Sequence, residues 1–185
     1  ASVKFAENSA LTSIGNYAFA YSGLESIVIP EQVSSFGTYV FRECTALESV
    51  TLSAALGSFN ANCFTDCTSL TEVIVPEGNQ VYTSQDGVVY SGTALAFYPG
   101  GRNATTFEIP EGTTSIDQYA FQGSNIRKIV IPASVTSIGN YAFDACEALE
   151  TIEFAERTSG ITFGNYSFRG CTALETVELP AALTS

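Results

Sequence analysis

The sequence predicts a solenoid, a right-handed superhelix in which each coil lends one short strand to a parallel β-sheet. Three observations predict it. The segment Ser13-Ile14-Gly15-Asn16-Tyr17-Ala18-Phe19 returns almost unchanged as Ser137-Ile138-Gly139-Asn140-Tyr141-Ala142-Phe143, and in looser form over Ser115 to Phe121. The closing phenylalanine forms a column, Phe19, Phe41, Phe64, Phe121, Phe143 and Phe168, spaced by 22, 23, 57, 22 and 25 residues, so each interval is one coil or a coil plus an insertion. After every column Phe the same apolar pattern, L-x-x-L-x-L, follows in the same register.

That pattern supplies the strands. It reads Leu24, Ile27, Ile29; Leu47, Val50, Leu52; Leu70, Val73, Val75; Ile126, Ile129, Ile131; Leu149, Ile152, Phe154; and Leu174, Val177, Leu179. The last two apolar positions flank one outward residue, as a strand buried on one face requires, and Pro30, Pro76, Pro132 or Pro180 then stops the strand. A unit of 22 to 23 residues cannot bury its strand face and its Phe alone, so stability must come from stacking on neighbouring coils. The fold class is therefore a leucine-rich-repeat solenoid. The Tyr-Ala-Phe segments, with small residues between aromatics, suit short helical or 3₁₀ turns on the convex side better than full helices.

The interval of 57 residues holds an insertion from about Glu77 to Arg102, after which Thr106-Phe107-Glu108-Ile109-Pro110 supplies a strand and the pattern resumes. Asp86-Gly87, between Val81-Tyr82 and Val88-Val89-Tyr90, is a type I′ hairpin signal, and Ser91-Gly92 can turn a further strand through Ala94 to Tyr98. Residues 1–185 are thus expected to form a single repeat domain with an inserted hairpin or meander at 77–105. Both ends fall inside a repeat: Val3 to Glu7 mirrors Ile152 to Glu156, and Pro180 to Ser185 matches Pro132 to Ser137, so the chain reads as cut from a longer array.

The combined pattern S-I-G-x-Y-A-F-x-x-C-x-x-L-x-x-I-x-I-P resembles the leucine-rich repeats of the BspA-like family. The resemblance covers almost the whole chain outside the insertion, and several columns recur together. It implies a bacterial, exported or cell-surface protein, although similar repeats occur in some parasitic protists. It also implies a binding role, since some members bind host extracellular-matrix proteins.

Composition narrows the chemistry independently. At 185 residues and 45% hydrophobic, the chain can fill a substantial core. A net charge of −12 repels nucleic acid and anionic membrane surfaces. The absence of His removes the commonest general base and metal ligand. No apolar run approaches the roughly 20 residues that span a bilayer, and Ala1 to Glu7 has no signal-peptide order.

Cys44, Cys67, Cys146 and Cys171 all lie three residues after the column Phe, where other coils have Ser22 and Ser124, and Cys63 falls in the column of Ala18 and Ala142. They read as small buried side chains with free thiols. Stacking brings Cys44 near Cys67 and Cys146 near Cys171, so disulfides remain open, and a zinc site is disfavoured by the lack of His or a second compact Cys pair. Gly100-Gly101 has no following Lys or helix start and reads as a chain reversal, not a phosphate cradle. No catalytic residue, metal site or cofactor is expected.

A binding surface is expected in two places. The outward strand position reads Val28, Thr51, Ile74, Glu108, Val130, Glu153 and Glu178, apolar or neutral at first and acidic toward the end. Such an open sheet face is where repeat proteins recognise partners, although solubility and β-preference explain any single residue there. The insertion adds Tyr82, Tyr90, Phe97 and Tyr98, which either extend the surface or pack the hairpin onto the coils. The expected function is a monomeric, non-catalytic cell-surface or extracellular module binding a protein or glycan. The alternative is a structural spacer without its own ligand.

Overall fold

A computed structural model describes residues 2–156 and 159–179 and has the form of a parallel β-solenoid of about six turns with almost no helix. The strands of the first half are β1 (Ser13–Ile14), β2 (Ser26–Val28), β3 (Ser35–Phe36), β4 (Ser49–Thr51) and β5 (Glu72–Ile74). An antiparallel meander follows, β6 (Thr83–Gln85), β7 (Val88–Ser91) and β8 (Ala94–Phe97). The second half contains β9 (Thr106–Glu108), β10 (Ser115–Ile116), β11 (Lys128–Ile131), β12 (Ser137–Ile138), β13 (Thr151–Phe154) and β14 (Thr162–Phe163).

The L-x-x-L-x-L strands pair parallel and in register, Ile27 beside Val50 beside Val73, and Phe107 beside Ile129 beside Ile152. Each inward residue therefore stacks on its counterpart from the next coil, and Ile27, Val50, Val73, Ile129 and Ile152 are all buried. Each such side chain contributes about 1.5–3 kcal/mol by leaving water. A second, narrower parallel sheet forms from the Ser-Ile pair of the recurring motif: β1 pairs with β3, and β8, β10, β12 and β14 follow one another. A strand of two residues is too short for its alternation to stand out in the sequence, and only its repetition across coils makes it a sheet.

Between the sheets the column rings stack. Phe19, Phe41 and Phe64 lie 5.5 Å apart in sequence, and Phe121, Phe143 and Phe168 are separated by 4.8 and 5.3 Å. The coils come so close at the Gly of the Ser-Ile-Gly motif that a Cβ on Gly139 would sit 2.6 Å from the Gln118 nitrogen, which explains the residue type. The Asn that follows Gly15 and Gly139 is also explained, because the Oδ1 atoms of Asn16 and Asn140 accept from the Thr38 and Asn165 amides of the next coil, at 2.8 and 2.7 Å. The only helical element among the described residues is a 3₁₀ turn, Ala61–Phe64, capped by Asn60, whose side chain accepts from the Asn62 amide. In the other coils this segment is a chain of hydrogen-bonded turns.

Inside the long interval the core columns continue. Leu95 pairs with Ile116, and Tyr98 donates its amide to the Ala120 carbonyl just as Phe121 donates to Ala142. The Tyr98 ring stacks on Phe121 at 4.9 Å, while Phe97 packs on Phe64 at 4.8 Å. A divergent coil thus runs through the insertion, with the β6–β7 hairpin added before its second strand. Only two residues separate Leu95 from Tyr98, whereas four separate Ile116 from Phe121.

The hairpin tip is driven into the main sheet. Val73 donates its amide to the Gly87 carbonyl at 3.0 Å, Val75 donates to the Ser84 hydroxyl at 2.9 Å, and β5 does not pair with β9. Arg102 fastens the tip through bonds to the Asp86 and Thr71 carbonyls. Asp86 and Gly87 adopt φ of 49° and 79°, the two positive values of a type I′ turn, and a Cβ on Gly87 would lie 2.7 Å from that of Glu72.

Candidate interaction surface

The outward column divides where the hairpin tip enters. Val28, Thr51 and Ile74 stand side by side on β2, β4 and β5, with Val28 67% and Ile74 41% exposed. Glu108, Val130 and Glu153 form the corresponding row on β9, β11 and β13. Glu108 and Glu153 are exposed and Val130 is half-buried. Lys128 meets Glu153 at 2.6 Å and Arg127 meets Glu150 at 3.3 Å, so the second row carries partly neutralised acidic charge. These exposed pairs contribute little to stability, at most about 1 kcal/mol each. Glu178 is exposed beyond the last strand, outside either row.

The insertion aromatics mostly pack the hairpin onto the coils, the second of the two placements expected for them. Tyr82, Phe97 and Tyr98 are 8%, 4% and 1% exposed and belong to the core, and Tyr90 is half-buried. The physical reason is the divergent coil: Phe97 and Tyr98 continue the stacked column, and Tyr82 packs on Phe59 at 5.0 Å while its hydroxyl accepts from the Phe59 amide.

All five cysteines are free. The thiols of Cys44, Cys67, Cys146 and Cys171 each donate to a column Phe carbonyl of the preceding coil, on Phe19, Phe41, Phe121 and Phe143, at 2.9 to 3.1 Å. Cys63 does the same toward Gly37. Burial pushes the Cys63 thiol up to about 11, and drives Cys67 higher still, so neither supplies a thiolate nucleophile. Among the described residues no cluster of three or more potential ligands could hold a metal ion.

The tyrosines two residues before the column Phe form a stripe of their own. Tyr17 stacks on Tyr39, and Tyr119 on Tyr141 on Tyr166, at 5.1 to 5.3 Å. All five have φ between 56° and 62°, a left-handed conformation that disfavours side chains and is offset here by ring stacking. Arg42 lies over Tyr39, and Arg169 over Tyr141 and Tyr166. Arg169 also clamps the buried Asp144 carboxylate with two bonds, at 2.7 and 2.8 Å. The regular Tyr spacing signals the ladder but not its burial, which leaves Tyr17 and Tyr166 exposed and Tyr39, Tyr119 and Tyr141 half-buried.

The model of the BspA type leucine rich repeat region matches residues 1–95 and 93–185, with six copies. The chain belongs to the BspA-type leucine-rich repeat family. Among solved structures, this BspA-type chain is similar to a leucine-rich cell surface protein from Faecalibacterium prausnitzii, with 29% identity, a TM-score of 0.65, and coverage of 95% of this chain and 41% of that one. It is also similar to the pneumococcal vaccine antigen PcpA (24% identity, TM-score 0.68, 94% and 55% covered). A leucine-rich repeat protein from Eubacterium ventriosum gives 22% identity and a TM-score of 0.66, with 92% and 58% covered. The latter two show the fold alone. The chain spans between 41% and 58% of the length of these three proteins. No curated protein matches. The family is one of bacterial surface repeat proteins, generally non-enzymatic, the Faecalibacterium prausnitzii neighbour is itself a cell surface protein, and no helix among the described residues is long and apolar enough to cross a membrane.

Proposed function

We propose that this BspA-type repeat is a monomeric, non-catalytic interaction module of a bacterial surface protein, binding a protein or glycan through the open face of its main sheets. The observation that carries this reading is the row Val28, Thr51 and Ile74, where two large apolar side chains stand exposed in register on a rigid sheet. Covering them releases ordered water without any cost of reshaping the backbone. The neighbouring acidic row favours basic patches on the partner. The cell-surface description of the Faecalibacterium prausnitzii relative supports an extracellular setting, and the greater length of the relatives supports a longer array in which further coils extend the same face.

The test is binding to an array of host extracellular-matrix proteins and glycans at physiological salt, repeated with Val28→Glu/Ile74→Glu. A saturable hit that the double variant weakens by about tenfold or more, with an unchanged far-ultraviolet spectrum, is expected. Equal binding by the variant removes the sheet face from the assignment. A chain that retains nothing is a spacer.

A further inference from the structure

The divergent coil leaves a gap on the side of the molecule away from the main sheet. Regular coils place Gly37, Gly139 and Gly164 where the preceding coil touches them. Asp117 stands in that column, and its amide donates to Leu95 as the Gly139 amide donates to Ile116. The coil beneath it is two residues shorter between its core positions, so the backbone that would exclude a side chain is missing. The result is a notch of about 280 Å³ between the third regular coil and the Asp117 coil. Phe59, Asn60, Tyr82, Ser91, Asp117 and Gln118 line it.

Among the described residues, nothing donates a hydrogen bond to the half-buried Asp117 carboxylate. Burial raises its pKa, with no compensating partner. The Gln118 side-chain amide and Ser91 hydroxyl have no hydrogen-bond partner among these residues either, so the carboxylate shares this space with the neutral oxygens of Gln118, Ser91 and Asn60 and with two aromatic rings. The single carboxylate rejects an anion. It also falls short of the several charged oxygens that a divalent cation such as calcium takes. An alkylammonium fits both halves of the notch: its three N–H donors meet the carboxylate and neutral oxygens, and its methylenes lie along the rings. The net charge of −12 draws cations toward it.

We propose that this notch is a binding site for a primary alkylammonium, as carried by a lysine side chain of a partner protein or by a free diamine. It lies apart from the sheet face and does not depend on that face binding anything.

The experiment is a titration of the chain at about 0.15 M salt with Nα-acetyl-lysine N-methylamide, the norleucine analogue and 1,5-diaminopentane, followed by amide shifts of Phe59, Ala61, Ala96 and Gln118. The two amines are expected to give saturable shifts confined to the notch, and the norleucine amide none. Tighter binding of the lysine amide identifies a protein side chain as the source, and tighter binding of the diamine a free amine. Asp117→Asn should weaken binding by about tenfold, the value of one charge-assisted bond, while Glu111→Gln, an exposed charge elsewhere, should not. Equal loss in both variants, equal binding by norleucine, or shifts scattered over the acidic surface would overturn the assignment. So would the absence of saturation at tens of millimolar amine. The shift map of the unmodified chain decides the matter even if Asp117→Asn fails to fold.

Discussion

At the scale of single residues, backbone strain and unspent polar groups mark where substitutions should act. Ala145 sits at φ 55°, in a column where Gly123 and Gly170 take the same conformation without a Cβ. Ala145→Gly should therefore raise the urea midpoint, by the equivalent of up to about 1 kcal/mol of stability, because relief of left-handed strain exceeds the added flexibility of the unfolded chain. Tyr98 carries a buried hydroxyl with no well-formed hydrogen bond, beside the Arg102 guanidinium, in a column that is otherwise phenylalanine. Tyr98→Phe is accordingly expected to be neutral or stabilising by about 1 kcal/mol, whereas Tyr98→Ala should cost about 3–5 kcal/mol through the cavity it leaves. Thiol chemistry should follow burial: Cys171 is only half-buried and its pKa is lowered by the hydrogen bond with Cys146. Iodoacetamide at pH 8 should label Cys171 first, read by peptide mass spectrometry, with Cys63 and Cys67 protected until unfolding. The Cys63 thiol is raised from 9.0 to about 11, so the unfolded chain loses that proton first. Its contribution to stability is full below pH 9 and falls as the pH rises toward 11.

At the scale of elements, the β6–β7 hairpin matters most, because its tip replaces pairing between β5 and β9. Gly87→Ala combines a positive φ with a contact against the Glu72 backbone and should cost about 2 kcal/mol or more. Hydrogen exchange at Val73, whose amide bonds to the Gly87 carbonyl, should accelerate more than at Val50. Much of this element was legible beforehand: Asp86-Gly87 between apolar pairs signals the turn, and the apolar run from Ala94 signals a further strand. Its position was not. The Leu95 to Tyr98 spacing differs from that of the regular coils, so Phe97 and Tyr98 fall outside the Phe column and spacing leaves open whether they pack on the coils or face solvent. The two-residue strands of the second sheet escaped for a related reason, since pairing between coils, not local alternation, defines them.

At the scale of the whole molecule, the chain is an acidic stack of coils, and self-repulsion should be measurable. Raising NaCl from about 10 mM to about 0.5 M should raise Tm by a few degrees as screening acts on a net charge of −12. A fall in Tm would mean that the pairs of Lys128 with Glu153 and Arg169 with Asp144 outweigh the repulsion. The sequence by itself determined the solenoid, the inward columns and the shared level of the cysteines, because a repeat forces equivalent residues into equivalent environments in successive coils. It also placed Val28, Thr51 and Ile74 in one outward column. Only the tertiary structure decided that this column is split by the hairpin, that Tyr82, Phe97 and Tyr98 of the insertion are core, and that Asp117 borders an open notch. Those outcomes depend on one coil departing from the repeat, and the space left by a departure is set by its neighbours' packing, which periodicity does not encode.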